Sequence, residues 1–112
     1  MSGITTHVLD TSLGKPAPGV PVTLYWREGG AFSEIRRATT DADGRVSQFL
    51  PELSLVAGTY QLVFETAGYF RAAAREAFFE RVTLEFYVVD SAQHYHVPLL
   101  LTPFGYTTYR GS

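Results

Sequence analysis

Cysteine is absent from this 112-residue chain, and methionine and tryptophan occur once each. Without a thiol there is no disulfide framework, no thiolate metal site and no cysteine nucleophile, so any acid–base or nucleophilic chemistry must come from other groups. An excess of positive charge is also missing: nine Lys and Arg stand against eleven Asp and Glu, a net charge of −2. That balance withholds the electrostatic footprint of a nucleic-acid or anionic-membrane surface, and neither partner is expected. The longest apolar run, "VPLLL" at 97–101, is of strand length and far below the roughly eighteen residues that a membrane helix needs. The opening "MSGITTHVLD" has neither the charged nor the apolar region of a secretory leader, which makes the cytoplasm the expected compartment.

What is present is ordinary globular composition, with 46% hydrophobic, 14% aromatic and 18% charged residues. Such a chain can offset its ordering entropy by burial. Its length suits a single domain spanning 1–112 and is too short for two ordinary cores. Apolar and polar residues alternate with a period of two in one segment after another. Val22, Leu24 and Trp26 share a face of "VTLYWR" (22–27), Tyr60, Leu62 and Phe64 a face of "GTYQLVFE" (58–65), and Val82, Leu84, Phe86 and Val88 a face of "VTLEFYVV" (82–89). "ITTHVL" (4–9), "VSQFL" (46–50), "HVPLLLT" (96–102) and "YTTYR" (106–110) are further strands, and the polar "FSEIRRAT" (32–39) is an edge or solvent-facing one.

Turn residues separate these segments. "GKPAPGVP" (14–21) holds three prolines and two glycines, and the pair Asp43-Gly44 delivers Arg45 to the mouth of the next strand. Only "TAGYFRAAAREAF" (66–78) has Ala, Arg and Glu at helical density, which predicts one short helix within 67–76. The expected fold class is therefore all-β, an antiparallel β-sandwich of seven to eight strands with one short helix. "VTLEFYVV" and "VPLLL" carry bulky apolar side chains on both faces, whereas a sandwich of this size buries only the inner one. Pairing with further copies of the chain is the expected cover.

Chemistry has few candidates. Val97, Leu99 and Leu101 form an aliphatic row, which turns His96 to the opposite face with Pro98 and Leu100. Histidine titrates near neutrality, so His7, His94 and His96 are either hydrogen-bonded surface residues or acid–base groups. The "HYH" spacing also sets His94 and His96 on one strand face, where His7 could join them as a third nitrogen ligand. No cysteine or well-placed carboxylate completes a tetrahedral set, and no metal is expected. Arg45 is either a solvated turn residue or a fixed cation able to stabilise an oxyanion.

Taken together, "HVLDTSLGKPA" (7–17), "DGR" (43–45), "HYHVPLLLTPFGY" (94–106) and the final "YRGS" (109–112) closely resemble the 5-hydroxyisourate hydrolases, the transthyretin-like enzymes of purine catabolism. The resemblance runs from the first strand to the last residue. It implies a transthyretin-like fold, two four-stranded sheets packed as a sandwich, assembled as a homotetramer, a dimer of dimers, around a central channel. It implies active sites in that channel where dimers meet, and it implies no cofactor. By motif it assigns His7, Arg45, His96 and Ser112 to catalysis, and Tyr109, Arg110 and Gly111 to the substrate-binding wall that they shape and anchor. The implied reaction opens the ring of 5-hydroxyisourate with water to give 2-oxo-4-hydroxy-4-carboxy-5-ureidoimidazoline. The histidines would share water activation and proton delivery, and Arg45 would stabilise the oxyanion. "FFE" at 78–80 and "TTDADGR" at 39–45 depart from the family pattern away from these residues. The rival reading on the same fold is a transthyretin-like carrier of a small ligand such as thyroid hormone, without catalysis.

Overall fold

The computed structural model of the protein describes residues 3–49 and 55–111. The strands are β1 (Gly3–Asp10), β2 (Lys15–Pro16), β3 (Pro21–Glu28), β4 (Ala31–Thr39), β5 (Arg45–Val46), β6 (Gly58–Phe64), β7 (Val82–Val88), β8 (His94–Thr102) and β9 (Gly105–Thr108), with one helix, α1 (Thr66–Ala72). One sheet has the order β2-β1-β8-β9, with β5 also pairing with β1, and the other the order β4-β3-β6-β7. The sheets face each other through the side chains that the alternation picked out: Ile4 and Val8 of β1, Val22 and Leu24 of β3, Leu62 and Phe64 of β6, Val82 of β7 and Leu99 of β8 are all fully or almost fully buried. The fold is an all-β sandwich with one short helix. No helix among the described residues is long and apolar enough to cross a membrane.

Two local features differ from the expectation drawn from sequence. β1 and β8 pair in parallel, Thr5 against His96 and His7 against Pro98, whereas every other pairing is antiparallel. Alternation specifies which face of a strand is buried and is blind to its direction. Of the strand expected at 46–50, only Val46 is in a strand among the described residues, as part of the two-residue β5, and Leu50 lies outside them; β2 is equally short, and each holds two register pairs with β1. The short helix expected within 67–76 is α1, which ends at Ala72: Ala74 turns left-handed at φ 57° and the Arg75 N–H closes back onto the Phe70 carbonyl at 2.9 Å.

The turn that follows has a purpose visible in its partners. Arg75 Nη1 donates to Asp10 Oδ2 at 2.8 Å, and the Tyr69 hydroxyl donates to the same oxygen at 2.8 Å. Asp10 is fully buried at the end of β1, and its Oδ1 also accepts from the backbone N–H groups of Ser12 and Leu13. Burial works to raise the Asp10 pKa, but the bonds from Arg75, Ser12 and Tyr69 and the Arg75 charge outweigh it and bring it down to about 2. Burial and the bond to Asp10 push the Tyr69 phenol up to about 12. The carboxylate thus ties α1 and the turn after it to the strand that carries His7.

Candidate active site

The outward face of β1 and β8 collects the candidates. On β1 the side chains of Ile4, Thr6, Val8 and Asp10 are buried, which leaves Thr5, His7 and Leu9 on the other face, all partly exposed. On β8 the partly exposed His94, His96 and Leu100 alternate in the same way with buried Tyr95, Val97 and Leu99. The parallel register then stacks Gly3 with His94, Thr5 with His96 and His7 with Pro98. β5 lies along the other edge of β1 and sets Arg45 opposite His7. A cleft of about 220 Å³ opens here, its wall including Thr5, Arg45, Ser47, His94 and His96.

Arg45 is delivered by a turn with its own lock. Asp41 Oδ1 accepts from the backbone N–H groups of Asp43 and Arg45, both at 2.9 Å, the side-chain mimic of a backbone turn that Asp makes readily. Gly44 completes it at φ +74°, where a Cβ would come within 2.3 Å of the Val8 carbonyl oxygen. No other residue fits that approach.

His96 is the most constrained member. Its Nδ1 lies 2.8 Å from Thr5 Oγ1, and the same oxygen lies 2.9 Å from Nε2 of His94. Burial lowers the pKa of His96, and the charges of Arg45, His94 and His7 lower it further. The imidazole is therefore held toward its neutral form, with Nδ1 engaged and Nε2 as the remaining nitrogen. No group of three or more His, Asp or Glu among the described residues is arranged to hold a metal, and His94 and His96 aim ring nitrogens at one hydroxyl.

The segment 109–111 crosses beside this ring. The Gly111 N–H donates to the His96 carbonyl at 2.8 Å, and a Cβ on Gly111 would sit 2.6 Å from His96 Cδ2 and 3.3 Å from Pro98 Cγ. Arg110 Nη2 donates to Gln93 Oε1 at 3.0 Å and to the His94 carbonyl at 3.2 Å, and its guanidinium lies over the Tyr95 ring at 4.4 Å. Tyr109 and Arg110 line a second, larger cleft of about 480 Å³ with Leu84, Phe86 and Tyr95, away from the histidine face. Of the residues singled out in the sequence, Arg45 and His96 line this cleft, His7 pairs with Arg45 beside it without lining it, Gly111 lies against the His96 ring, and Arg110 ties the segment to Gln93 and the His94 carbonyl. Ser112 lies outside the described residues. Sequence reasoning missed Thr5, whose significance comes from a parallel pairing across about ninety residues that no local pattern announces.

The sequence profile of the HIUase/transthyretin family matches residues 4–111. The chain belongs to this family. Within it, 5-hydroxyisourate hydrolase 2 of Rhizobium meliloti is 52% identical over 114 residues, covering 97% of this chain and 95% of that protein. The structure of 5-hydroxyisourate hydrolase from Klebsiella pneumoniae is 42% identical with a TM-score of 0.85, covering 99% of this chain and 100% of its own. Sea bream transthyretin in complex with thyroxine is 29% identical with a TM-score of 0.92, covering 96% of this chain and 93% of its own. Proteins similar to this chain thus include hydrolases and a transthyretin solved with thyroxine on one sandwich, so the fold alone does not decide between the two activities.

Proposed function

We propose that this chain hydrolyses 5-hydroxyisourate at the histidine cleft, by direct attack of water on a ring acyl carbon. The observation that carries the reading is the half-buried His96, biased toward its neutral form beside Arg45, His94 and His7. A neutral imidazole is the efficient base for water near neutral pH. His7 and His96 share water activation and proton delivery to the departing ring nitrogen. Arg45, permanently charged and forked, binds the electron-rich substrate and stabilises the oxyanion. Gly111 lies against the His96 ring, and Ser112, whose part is taken over from the family motif, orients water or substrate through hydrogen bonds. Tyr109 and Arg110 anchor that segment. The product is 2-oxo-4-hydroxy-4-carboxy-5-ureidoimidazoline, and the working assembly is a homotetramer, a dimer of dimers.

The carrier reading has one observation in its favour, the higher TM-score to thyroxine-bound transthyretin, 0.92 against 0.85. Backbone likeness does not fix function, and identity favours the hydrolases, 52% and 42% against 29%. Ultraviolet absorbance decides between the two. Added to a urate oxidase reaction, the protein should speed the decay of 5-hydroxyisourate beyond its spontaneous rate. Spontaneous decay together with saturable thyroxine binding would transfer the chain to the carrier class.

A further inference from the structure

We propose that Thr5 is a positioning residue that couples the protonation of His96 to that of His94, so that the proton taken from water at His96 is passed through the Thr5 hydroxyl to His94. The proposal rests on the acid–base role given to His96 above.

A hydroxyl carries one proton, and this one stands between two ring nitrogens at 2.8 and 2.9 Å. It can donate to only one of them, so the other must supply a hydrogen of its own, and the tautomers of the two rings are linked. When His96 carries hydrogen on Nδ1, it donates to Thr5, and Thr5 donates to a bare Nε2 of His94. His96 Nε2 is then bare and able to accept. As it takes a proton from the attacking water, the Nδ1 proton moves to Thr5 Oγ1 and the hydroxyl proton moves to His94 Nε2. Thr5 ends as it began, His96 ends neutral with hydrogen on Nε2, and His94 ends as the imidazolium. Running the same path backwards releases the Nε2 proton of His96 to the departing ring nitrogen and restores the start.

Cations stand at both ends of the relay. The groups facing His96 are Arg45 on β5, His7 on β1 and His94 on β8, and together with burial they disfavour an imidazolium at His96. Arg45 pairs at the level of His7, two register steps from Thr5 and His96, and His94 lies two steps further in the opposite direction. Moving the positive charge from His96 to His94 therefore carries it roughly 7 Å along the strand away from Arg45, at about 3.3 Å per residue. Arg110, whose guanidinium donates to the His94 carbonyl at 3.2 Å, stands at that other end, so the linked tautomers across Thr5 rather than a net charge gradient carry the relay.

A purely structural Thr5 would fill a β-branched strand position and nothing more. Nitrogen-15 imidazole spectra of the full-length protein above the histidine titration separate the two roles, with Thr5→Val, Thr5→Ser and His94→Gln beside the unsubstituted chain. The relay requires His96 to rest with hydrogen on Nδ1, to lose that single tautomer in Thr5→Val and to keep it in Thr5→Ser. It also requires Thr5→Val to lower kcat roughly tenfold with little change in KM and to shift the acid limb of the pH profile, with Thr5→Ser restoring both. The Thr5→Val and His94→Gln losses should not multiply in the double variant, because both break one path. An unsubstituted protein whose His96 rests with hydrogen on Nε2 overturns the relay even if Thr5→Val does not fold. So does a Thr5→Val enzyme with the original kcat and pH profile. Failure of the unsubstituted protein to turn over 5-hydroxyisourate would instead strike the reaction, since the tautomer spectra need no substrate.

Discussion

A histidine serves as a base only while its acceptor nitrogen is bare, and at His96 burial and three neighbouring charges push toward that state. Its folded pKa lies below the ordinary histidine value, so the base stays competent down to a lower pH than a free imidazole would, and activity should fall as pH drops through that lowered pKa. In Arg45→Met one of the depressing cations is gone, and a proton-NMR titration should find the His96 pKa higher than in the unsubstituted protein. An unmoved titration would mean that Arg45 does not act on His96. His7→Ala, His96→Ala and Arg45→Ala should each slow steady-state turnover roughly a hundredfold or more, the range for losing acid–base or oxyanion groups. Original rates in any of them would remove that residue from the mechanism. At this scale the sequence is informative about identity and facing. The aliphatic row Val97, Leu99 and Leu101 turns His96 outward, as it does in the fold. Thr5 carries no such mark, because its two bonds exist only after β1 and β8 have paired.

Among the elements, those with a clear period are legible and those fixed by single contacts are not. β3, β6 and β7 follow the alternation read from 22–27, 58–65 and 82–89: Val22, Leu24, Tyr60, Leu62, Phe64, Val82, Leu84 and Val88 are buried, and Trp26 and Phe86 are half-buried. The turn after α1 is tied through Arg75 to Asp10, 65 positions earlier, and a helix propensity cannot register a partner at that distance. Asp10 also sets an acid limit on stability. Its folded pKa of about 2 lies below the ordinary carboxylate value, so its contribution is fully present above about pH 4 and is lost as pH falls from there through 2. The size is about 2 kcal/mol for a shift of nearly two pH units. Denaturant midpoints measured against pH should fall over that interval in the unsubstituted protein. In Asp10→Asn they should start lower at neutral pH and lose that part of the slope, and an unchanged profile would deny Asp10 its role as the tie between β1 and α1. The segment after β9 has a contact of similar sharpness. Gly111→Ala places a methyl 2.6 Å from His96 Cδ2, closer than the ring can accept without moving. Turnover should collapse while thermal unfolding shifts little, and full activity in that variant would detach residues 109–111 from the site.

For the whole molecule, the decisive quantity is the size of the cleft that one chain can build. About 220 Å³ falls short of the roughly 300–1,000 Å³ typical of pockets that enclose a small ligand, and the histidine face is the broad outer side of a sheet rather than a hollow. Apolar side chains are meanwhile left over in the single chain: Phe78 is 72% exposed, Phe104 64% and Leu13 55%, and β7 and β9 each end a sheet with no further neighbour among the described residues. Unpaired edges and bare aromatics are what a symmetric assembly covers, and the proposed homotetramer would cover them while a second copy closes the cleft. On "VTLEFYVV" the surplus read from sequence is there, with Tyr87 and Val89 exposed, whereas "VPLLL" is buried apart from a half-buried Leu100; which faces meet is not legible, because shape complementarity between copies leaves no periodic trace in one chain. If the site is completed between copies, assembly and turnover must fail together. Light scattering on the unsubstituted protein should give a mass near four chains, and Phe104→Glu, a charge placed on an exposed aromatic far from the proton-transfer residues, should lower that mass. Specific activity should drop in proportion and recover as protein concentration drives reassociation. A Phe104→Glu monomer that keeps its sandwich by circular dichroism and turns over at the original rate would show that one chain builds a complete site.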